Sequence, residues 1–371
     1  MGIVFLSSQV PDPRLNRRIK SLSSLGKQLT VLYWERTYGF GFKLEPRDNV
    51  KYIALKSNDY KSLIKRLKET ISLQKTTFSI LKDIDPEIIY ISGIECVRAA
   101  EKVRQIKSVL LVLEIADLIA IRYIERSKVF KNQIESWVNR LISKADALVI
   151  TSPFYYSEYY RDRVDILEER IFLFENVPER RLFGNFRKRK FQNTFNVGFV
   201  GGVRYYESIK TLFEAARELN NVEVIVSGLG PDFDRVMELS KSYKNTKITG
   251  KYDYEKDILE VYSKLDLIYS VYESDSEGVR LALPNKLYEA IVCEIPIVVS
   301  KGTCLEKYVK GLGVGYSVEY GNVEELRSLL VHLATFPKDS QEISNRESII
   351  AERFFYENRE KEFLRWLSTL I

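Results

Sequence analysis

The chain reads as an α/β protein built of two Rossmann-like, doubly wound parallel-sheet domains that face a cleft. Three observations predict this. Short apolar runs alternate with helix-period stretches from the first residues to about residue 335, the pattern of parallel sheets covered on both faces. The alternation pauses once, at the polar, basic and aperiodic PERRLFGNFRKRKFQNTF (178–195), and then begins again. A length of 371 residues is also more than one core usually serves. The expected division is 1–180, 181–340 and a terminal helix over 341–371.

In the first half IVFLSS (3–8) is a strand, VPDPR (10–14) a loop and LNRRIKSLSSLGK (15–27) a helix. TVLYWER (30–36) and VKYIALK (50–56) are strands. Residues 59–83 form a helix with Leu63, Leu67, Ile71 and Phe78 expected along its apolar side, and Lys61, Lys65, Arg66, Lys68 and Lys75 facing elsewhere. PEIIYIS (86–92) is a strand, ECVRAAEKVRQIK (95–107) a helix and SVLLVLEIAD (108–117) a strand. A basic helical segment over 122–144 and the strand ADALVITS (145–152) close this half.

The second alternation starts with the strand NVGFVGGV (196–203), which breaks at Gly201 and Gly202, and the helix SIKTLFEAARELN (208–220). VEVIVSGLG (222–230) is a strand ending in Gly228 and Gly230, followed by the helix PDFDRVMELSKSY (231–243). TKITG, the helix DYEKDILEVYSKL and the strand DLIYSVYE lead to residues 277–300, EGVRLALPNKLYEAIVCEIPIVVS. That stretch reads as a loop to Pro284, a helix from Asn285 to about Cys293 and a buried strand over 295–299. GLGVGYSV (311–318) is a strand, NVEELRSLLVHLA (322–334) a helix, and 342–371 a long helical pattern.

Composition bounds the chemistry. With 45% hydrophobic and 29% charged residues the chain is that of a soluble globular protein. It has no apolar run near the roughly 20 residues that cross a bilayer. Its first residues lack the basic region of a signal peptide and look like a first strand. Cys96, Cys293 and Cys304 have unrelated spacings, which suggests neither a disulfide framework nor a zinc site and favours a reduced, cytoplasmic compartment. A single histidine, His332 on an expected helix surface, leaves no His-based triad and no poly-His metal centre. The net charge of +6 is uneven: residues 1–180 hold 30 Lys and Arg against 23 Asp and Glu, and residues 181–371 hold 27 against 28. A basic first half suits an anionic partner.

Residues 284–289 carry the sharpest chemical signal. Lys286 and Glu289 lie three apart on the first turns of a helix that starts after proline. Free N–H groups, a lysine beside them and a carboxylate one turn on would hold a nucleoside diphosphate, with Glu289 accepting from ribose hydroxyls. The plainer alternative is an amphipathic helix with both charges in water. The two glycine turns carry a similar pair of readings: close approach to a ligand, or tight β/α turns needing positive φ.

Taken together, ENVPE (175–179), VGFVGGVRYYESIKTLFEAARELNNVEVIVSGLGP (197–231), DILEVYSKLDLIYSVY (257–272) and LPNKLYEAIVCEIPIVVS (283–300) resemble, in order, the pieces of GT-B-fold glycosyltransferases. The resemblance is to the family-4 (glycogen-synthase-like, retaining) group, in its PNK-type capsule and exopolysaccharide transferase branch. It implies a hexosyl-type, metal-independent transfer with no cofactor, from a nucleoside-diphosphate sugar to a glycan or lipid-linked acceptor in cell-surface polysaccharide synthesis. It places the donor mainly on 181–335 and the acceptor on the first domain. Carried over by position, Gly201 and Gly202 let the backbone approach the diphosphate and Arg204 pairs with the phosphates; at Glu207, aligned with a family lysine, either Lys210 substitutes or Glu207 points away. Asn285, Lys286 and Leu287 form the helix start at the leaving group, Glu289 binds the ribose, and Gly228 and Pro231 shape the base pocket. Glu114 and Asp117 match acidic positions facing donor sugar or acceptor.

The chain also departs from the family pattern. Leu281 stands where the family's first glutamate falls, Glu294 replaces a usual glycine, and Ser92, Gly93 or Glu95 takes the place of a first-domain histidine. Two alternatives stay open beside the transferase: a non-catalytic GT-B subunit that binds a partner transferase or glycan, and a sugar-nucleotide 2-epimerase. Lipid-linked acceptors in the resembling group, with the basic helices of the first half, imply peripheral docking to an anionic membrane surface at its inner face; solvated basic faces are the simpler account. Nucleic acid is not expected, since no stacking platform or motif accompanies the basic residues. The terminal helix is expected to return to the first domain and bury Trp366 there.

Overall fold

The computed structural model describes residues 2–36, 44–58, 63–118, 131–187, 194–336, 342–343, 345–346 and 349–371. Parts of the expected basic segment over 122–144 and of the stretch over 178–195 therefore lie outside the described residues. The chain divides into two compact units, Met1–Glu175 with Glu360–Ile371, and Asn176–Arg359.

The first unit runs β1 (Gly2–Ser7), α1 (Pro13–Ser23), β2 (Leu29–Trp34), β3 (Val50–Leu55), α2 (Leu63–Leu81), β4 (Pro86–Ser92), α3 (Val97–Arg104), β5 (Leu110–Ile115), α4 (Lys131–Ile142), β6 (Ala147–Ile150) and β7 (Ile171–Leu173). The strands pair in parallel in the order β3-β2-β1-β4-β5-β6-β7, so the order reverses between β1 and β4. Strands buried on both faces need continuous apolar runs, and Ile88 to Ile91 of β4 are fully buried.

Two local expectations change. The helix after β1 begins inside the stretch read as a loop: Asp12 caps it by accepting from the Leu15 N–H at 2.8 Å, and Pro13 fills the first turn, where its missing donor costs nothing. On α2 the expected apolar side faces outward, with Leu67 55% and Ile71 53% exposed, while Leu73, Thr77 and Leu81 are buried. The cause is electrostatic. Arg36, 2% exposed at the end of β2, takes Glu69 as counter-ion at 3.1 Å, and Glu69 is the only acid on α2. A buried guanidinium without a carboxylate costs more than a few exposed aliphatic side chains, so Glu69 decides which face turns in.

The second unit continues with α5 (Arg180–Phe183), β8 (Phe195–Val200), α6 (Tyr206–Ala216), β9 (Val222–Ser227), α7 (Phe233–Ser240), β10 (Thr246–Gly250), α8 (Tyr254–Ser263), β11 (Leu267–Ser270), α9 (Glu277–Leu281), α10 (Asn285–Val292), β12 (Ile297–Ser300), α11 (Cys304–Leu312), β13 (Gly315–Val318) and α12 (Val323–Thr335); α13 (Tyr356–Thr369) begins in this unit, and its residues from Glu360 on belong to the first. Its six strands follow the order β10-β9-β8-β11-β12-β13, all parallel. This is the nucleotide-binding order, with the reversal between β8 and β11, where ligands of such sheets sit outside the carboxyl ends. The core joins Val197, Phe199, Val224, Val226, Leu267 and Tyr269 to Ile209, Leu212 and Phe213 of α6. The pattern reading passes over α9 and α11, both short, and takes 178–195 as linker, although Leu182 and Phe183 of α5 are buried. Helix α10 ends in a Schellman turn, with Ile295 N–H bonded to Ala290 and Glu294 N–H to Ile291. Its left-handed residue is Glu294, at φ +53°, the position where the resembling family carries glycine.

Residues 360–371 of the terminal segment pack within the first unit. Phe363 and Leu367 are buried there, whereas Trp366 is only half-buried, stacked on Phe172 at 5.3 Å with its Nε1 donating to the Glu169 carbonyl. Spacing explains the difference: Phe363 and Leu367 are four apart and share the inward stripe, and Trp366 flanks it.

Candidate active site

The site of the second unit grows from two glycine turns. Gly201, with φ +115°, follows β8, and Gly228, with φ +137°, follows β9. The turns are zipped backbone to backbone: Gly201 N–H donates to Ser227 O at 2.8 Å and Val203 N–H to Leu229 O at 3.1 Å. A Cβ on Gly228 would stand 1.9 Å from the Gly201 carbonyl oxygen, so no other residue fits. Gly228 is thus required by the neighbouring loop. Gly202 has no such restraint; it is exposed, and a Cβ there would reach only ordinary contact with Arg204. Pro231, next in sequence after the second turn, is exposed.

Fixed by that zipper, the loop after β8 presents Arg204 and Tyr205. The Tyr205 ring lies 4.6 Å from that of Tyr272, which follows β11. Tyr272 is pinned through its own backbone, its N–H donating to Ser300 Oγ at 2.7 Å and its carbonyl accepting from the same hydroxyl. Two cations border this aromatic pair. The Arg204 guanidinium lies 5.8 Å from the Tyr205 ring centre. The Lys286 ammonium lies 5.3 Å from that of Tyr272 and 4.3 Å from that of Phe199. Among the described residues neither cation pairs with a carboxylate; ring faces hold them instead. They come from α10 and the β8 loop, 82 positions apart in the sequence, and each borders one ring of the pair at the reversal point of the sheet.

Lys210 and Glu207 are exposed on α6. Glu207, with Glu273 and Asp275, lies close enough to Tyr320 to raise its phenol, after the larger effect of burial. The start of α6 is already served, since the Tyr206 N–H donates to Asp232 Oδ2 at 3.2 Å. Helix α10 has no side-chain cap, Asn285 is exposed, and Leu287 is turned fully into the core with its N–H bonded to Pro284. Leu287 therefore offers no side chain to a ligand.

Glu289 is 6% exposed on the next turn of α10. Its Oε1 accepts from the Tyr254 hydroxyl at 2.6 Å and its Oε2 from the Tyr262 hydroxyl at 2.5 Å. Among the described residues it has no cation. Burial and then this charge push the Tyr252 phenol up to about 12. A buried carboxylate held by phenols alone is costly for the fold and keeps acceptor capacity for further hydroxyls.

The first unit treats its acid differently. Glu114 on β5 is fully buried, paired with Arg14 and with Arg18 at 3.2 Å, and accepts from Tyr90. Burial pushes its carboxyl up, but Arg18 and then Arg14 outweigh that and hold it below the usual value. Arg18 in turn lies 3.4 Å from the ring centre of Phe174 and 5.0 Å from that of Phe363. Asp117, just past β5, is exposed. Pattern reading misses Arg14, Arg18 and Tyr90, although arginines four apart at a helix start are visible in PRLNRR; it also misses Tyr254 and Tyr262, eight apart in YEKDILEVY.

Residues 184–347 match the family model "Glycosyl transferases group 1", which covers the second unit's site from β8 to α12. Several proteins are similar to the chain over most or all of its length. The succinoglycan biosynthesis protein ExoL of Rhizobium meliloti (strain 1021) is 22% identical over 349 residues, covering 89% of this chain and 84% of the relative. Among solved structures, sucrose-phosphate synthase from Thermosynechococcus elongatus superposes with a TM-score of 0.76 at 14% identity, covering 100% of this chain and 99% of that one. Anabaena HepE in complex with UDP gives 0.70 at 15% identity, with 100% of both chains covered. The lipopolysaccharide outer core galactosyltransferase WaaB gives 0.69 at 17%, again over 100% of both. The fold is that of the GT-B glycosyltransferases, two parallel-sheet α/β domains.

Proposed function

We propose that the protein is a glycosyltransferase that moves a sugar from a nucleoside-diphosphate donor to a glycan or lipid-linked acceptor in polysaccharide synthesis. The observation that carries this is the pair Arg204 and Lys286, both without carboxylate partners among the described residues, on either side of Tyr205 and Tyr272 at the sheet's reversal point. When a glycosidic bond to a diphosphate breaks, negative charge grows on the departing oxygen. Fixed cations in a partly desolvated site stabilise that charge without reorganising, and in many enzymes such stabilisation supplies most of the rate enhancement. Arg204 suits the bidentate geometry of a phosphate, and Lys286 supplies a point charge beside the α10 start. Glu289 takes the ribose hydroxyls. The match to group 1 glycosyl transferases and the UDP complex of a fold relative support this assignment.

In this reading residues 181–340 hold the donor and residues 1–180 the acceptor. Transfer is retaining and of hexosyl type, and the two cations do the work a divalent ion does elsewhere. Donor hydrolysis and transfer, followed with UDP-, GDP- and ADP-sugars with and without EDTA, test it. Slow release of free sugar and nucleoside diphosphate, insensitive to EDTA, is expected; binding without any release would instead mark a non-catalytic subunit.

The acceptor reading includes a membrane surface. Ile64, Leu67 and Ile71 are 67%, 55% and 53% exposed along one line of α2, with exposed Lys65, Lys68 and Lys75 beside them. An apolar row flanked by lysines suits an anionic lipid surface, at about 1 kcal/mol per cation. Among the described residues no helix is long and apolar enough to cross a membrane. Flotation with phosphatidylglycerol vesicles should show binding that Leu67→Ser with Ile71→Ser abolishes; no binding at low salt would refute the docking.

A further inference from the structure

The two hydroxyls on Glu289 are not equivalent. Tyr262 is fully buried, and its donation to Oε2 fixes the carboxylate's orientation. Tyr254 opens the same helix, α8, two turns earlier and is 37% exposed, with its hydroxyl on Oε1. The Phe183 ring, itself 1% exposed, lies 6.4 Å from that of Tyr254 and 6.1 Å from that of Tyr262, backing both from one side. One donor is built into the core; the other belongs to a partly exposed ring. A ribose hydroxyl approaching Glu289 therefore meets an oxygen on which a side chain of the protein already competes.

We propose that Tyr254 is an intramolecular competitor for the ribose-binding carboxylate, displaced from Oε1 when the donor's ribose hydroxyl binds, and so a positioning residue that lowers nucleotide affinity. The inference rests on Glu289 being the ribose acceptor. A hydrogen bond given up in one place and made in another leaves only the difference as affinity. Removing the competitor leaves Oε1 underserved in the unliganded protein, and the nucleotide then gains the full bond. Weakened retention of the nucleoside diphosphate favours turnover wherever product release limits the rate.

Titration calorimetry with UDP, GDP and ADP on wild type, Tyr254→Phe and Tyr262→Phe tests this. Whichever nucleotide binds the wild type is then compared with its 2′,3′-dideoxy analogue. Tyr254→Phe should tighten the ribonucleotide by about threefold to tenfold and leave the dideoxy analogue unchanged, because only the former bids for Oε1. Tyr262→Phe should weaken the ribonucleotide, since the carboxylate loses its fixed orientation. A purely structural tyrosine would move ribo and dideoxy ligands together, and that result, or no tightening, overturns the inference while leaving the donor site standing. A wild-type chain that binds none of the three nucleotides overturns the donor reading and the inference with it.

Discussion

Glu114 in the first unit and Glu289 in the second are both buried carboxylates, in units whose parallel sheets share the same starting order, yet they are satisfied in opposite ways. Glu114 is neutralised by Arg14 and Arg18 and capped by Tyr90. Among the described residues Glu289 has two tyrosine hydroxyls and no cation, while the second unit's own cations, Arg204 and Lys286, rest on aromatic rings. The first arrangement closes on itself and holds the terminal segment, through the Arg18 guanidinium against Phe363. The second keeps its positive and negative charges apart and unspent. Charges that cancel within the protein serve the fold; those that do not are, in the function proposed above, held for a diphosphate and a ribose.

The largest expected effect breaks the first half of the comparison. Removing both cations, in the double variant Arg14→Ala with Arg18→Ala, strands Glu114 in the interior and should cost about 3–5 kcal/mol, read as a lowered denaturation midpoint at unchanged slope. Arg204→Ala and Lys286→Ala should do the reverse, each lowering donor turnover by about 10²–10³-fold while stability stays within about 0.5 kcal/mol. A large stability loss from either would mean that these cations are structural after all.

Acid sharpens the same contrast. The Glu114 carboxyl is held down in the folded chain, so its contribution is fully present above the unfolded value, about 4.3, and is lost as pH falls through the folded value. Unfolding followed from pH 5 downward should show a steeper loss in wild type than in Glu114→Gln, which lacks that titration. The smallest effect concerns the turn that ends α10. Glu294→Gly relieves a left-handed residue and should stabilise by about 1 kcal/mol, seen as a rise in Tm with donor turnover unchanged.

Much of this was legible in residue order. Alternating apolar runs gave both sheets, and Pro284 marked the start of the helix that carries Lys286 and Glu289. Partnership was not legible, because it is settled by tertiary contact. The outward turn of Leu67 and Ile71 follows from a buried arginine on another element, which no periodicity within α2 records. Likewise Glu114 and Glu289 look alike as glutamates in apolar surroundings. Only the positions of α1 and α8 show that one is neutralised and the other is not. Gly228 carried two readings, and the carbonyl of Gly201 supplies the steric reason for it.

The central claim is that Arg204 and Lys286 are held for a pyrophosphate. Its most direct test is calorimetric titration of the wild type and the Arg204→Ala, Lys286→Ala double variant with UDP, GDP and ADP and with the corresponding nucleosides. The account predicts that one diphosphate binds the wild type well above its nucleoside, and that the double variant brings the two to the same weak affinity. A double variant that retains the wild type's preference for the diphosphate would contradict it.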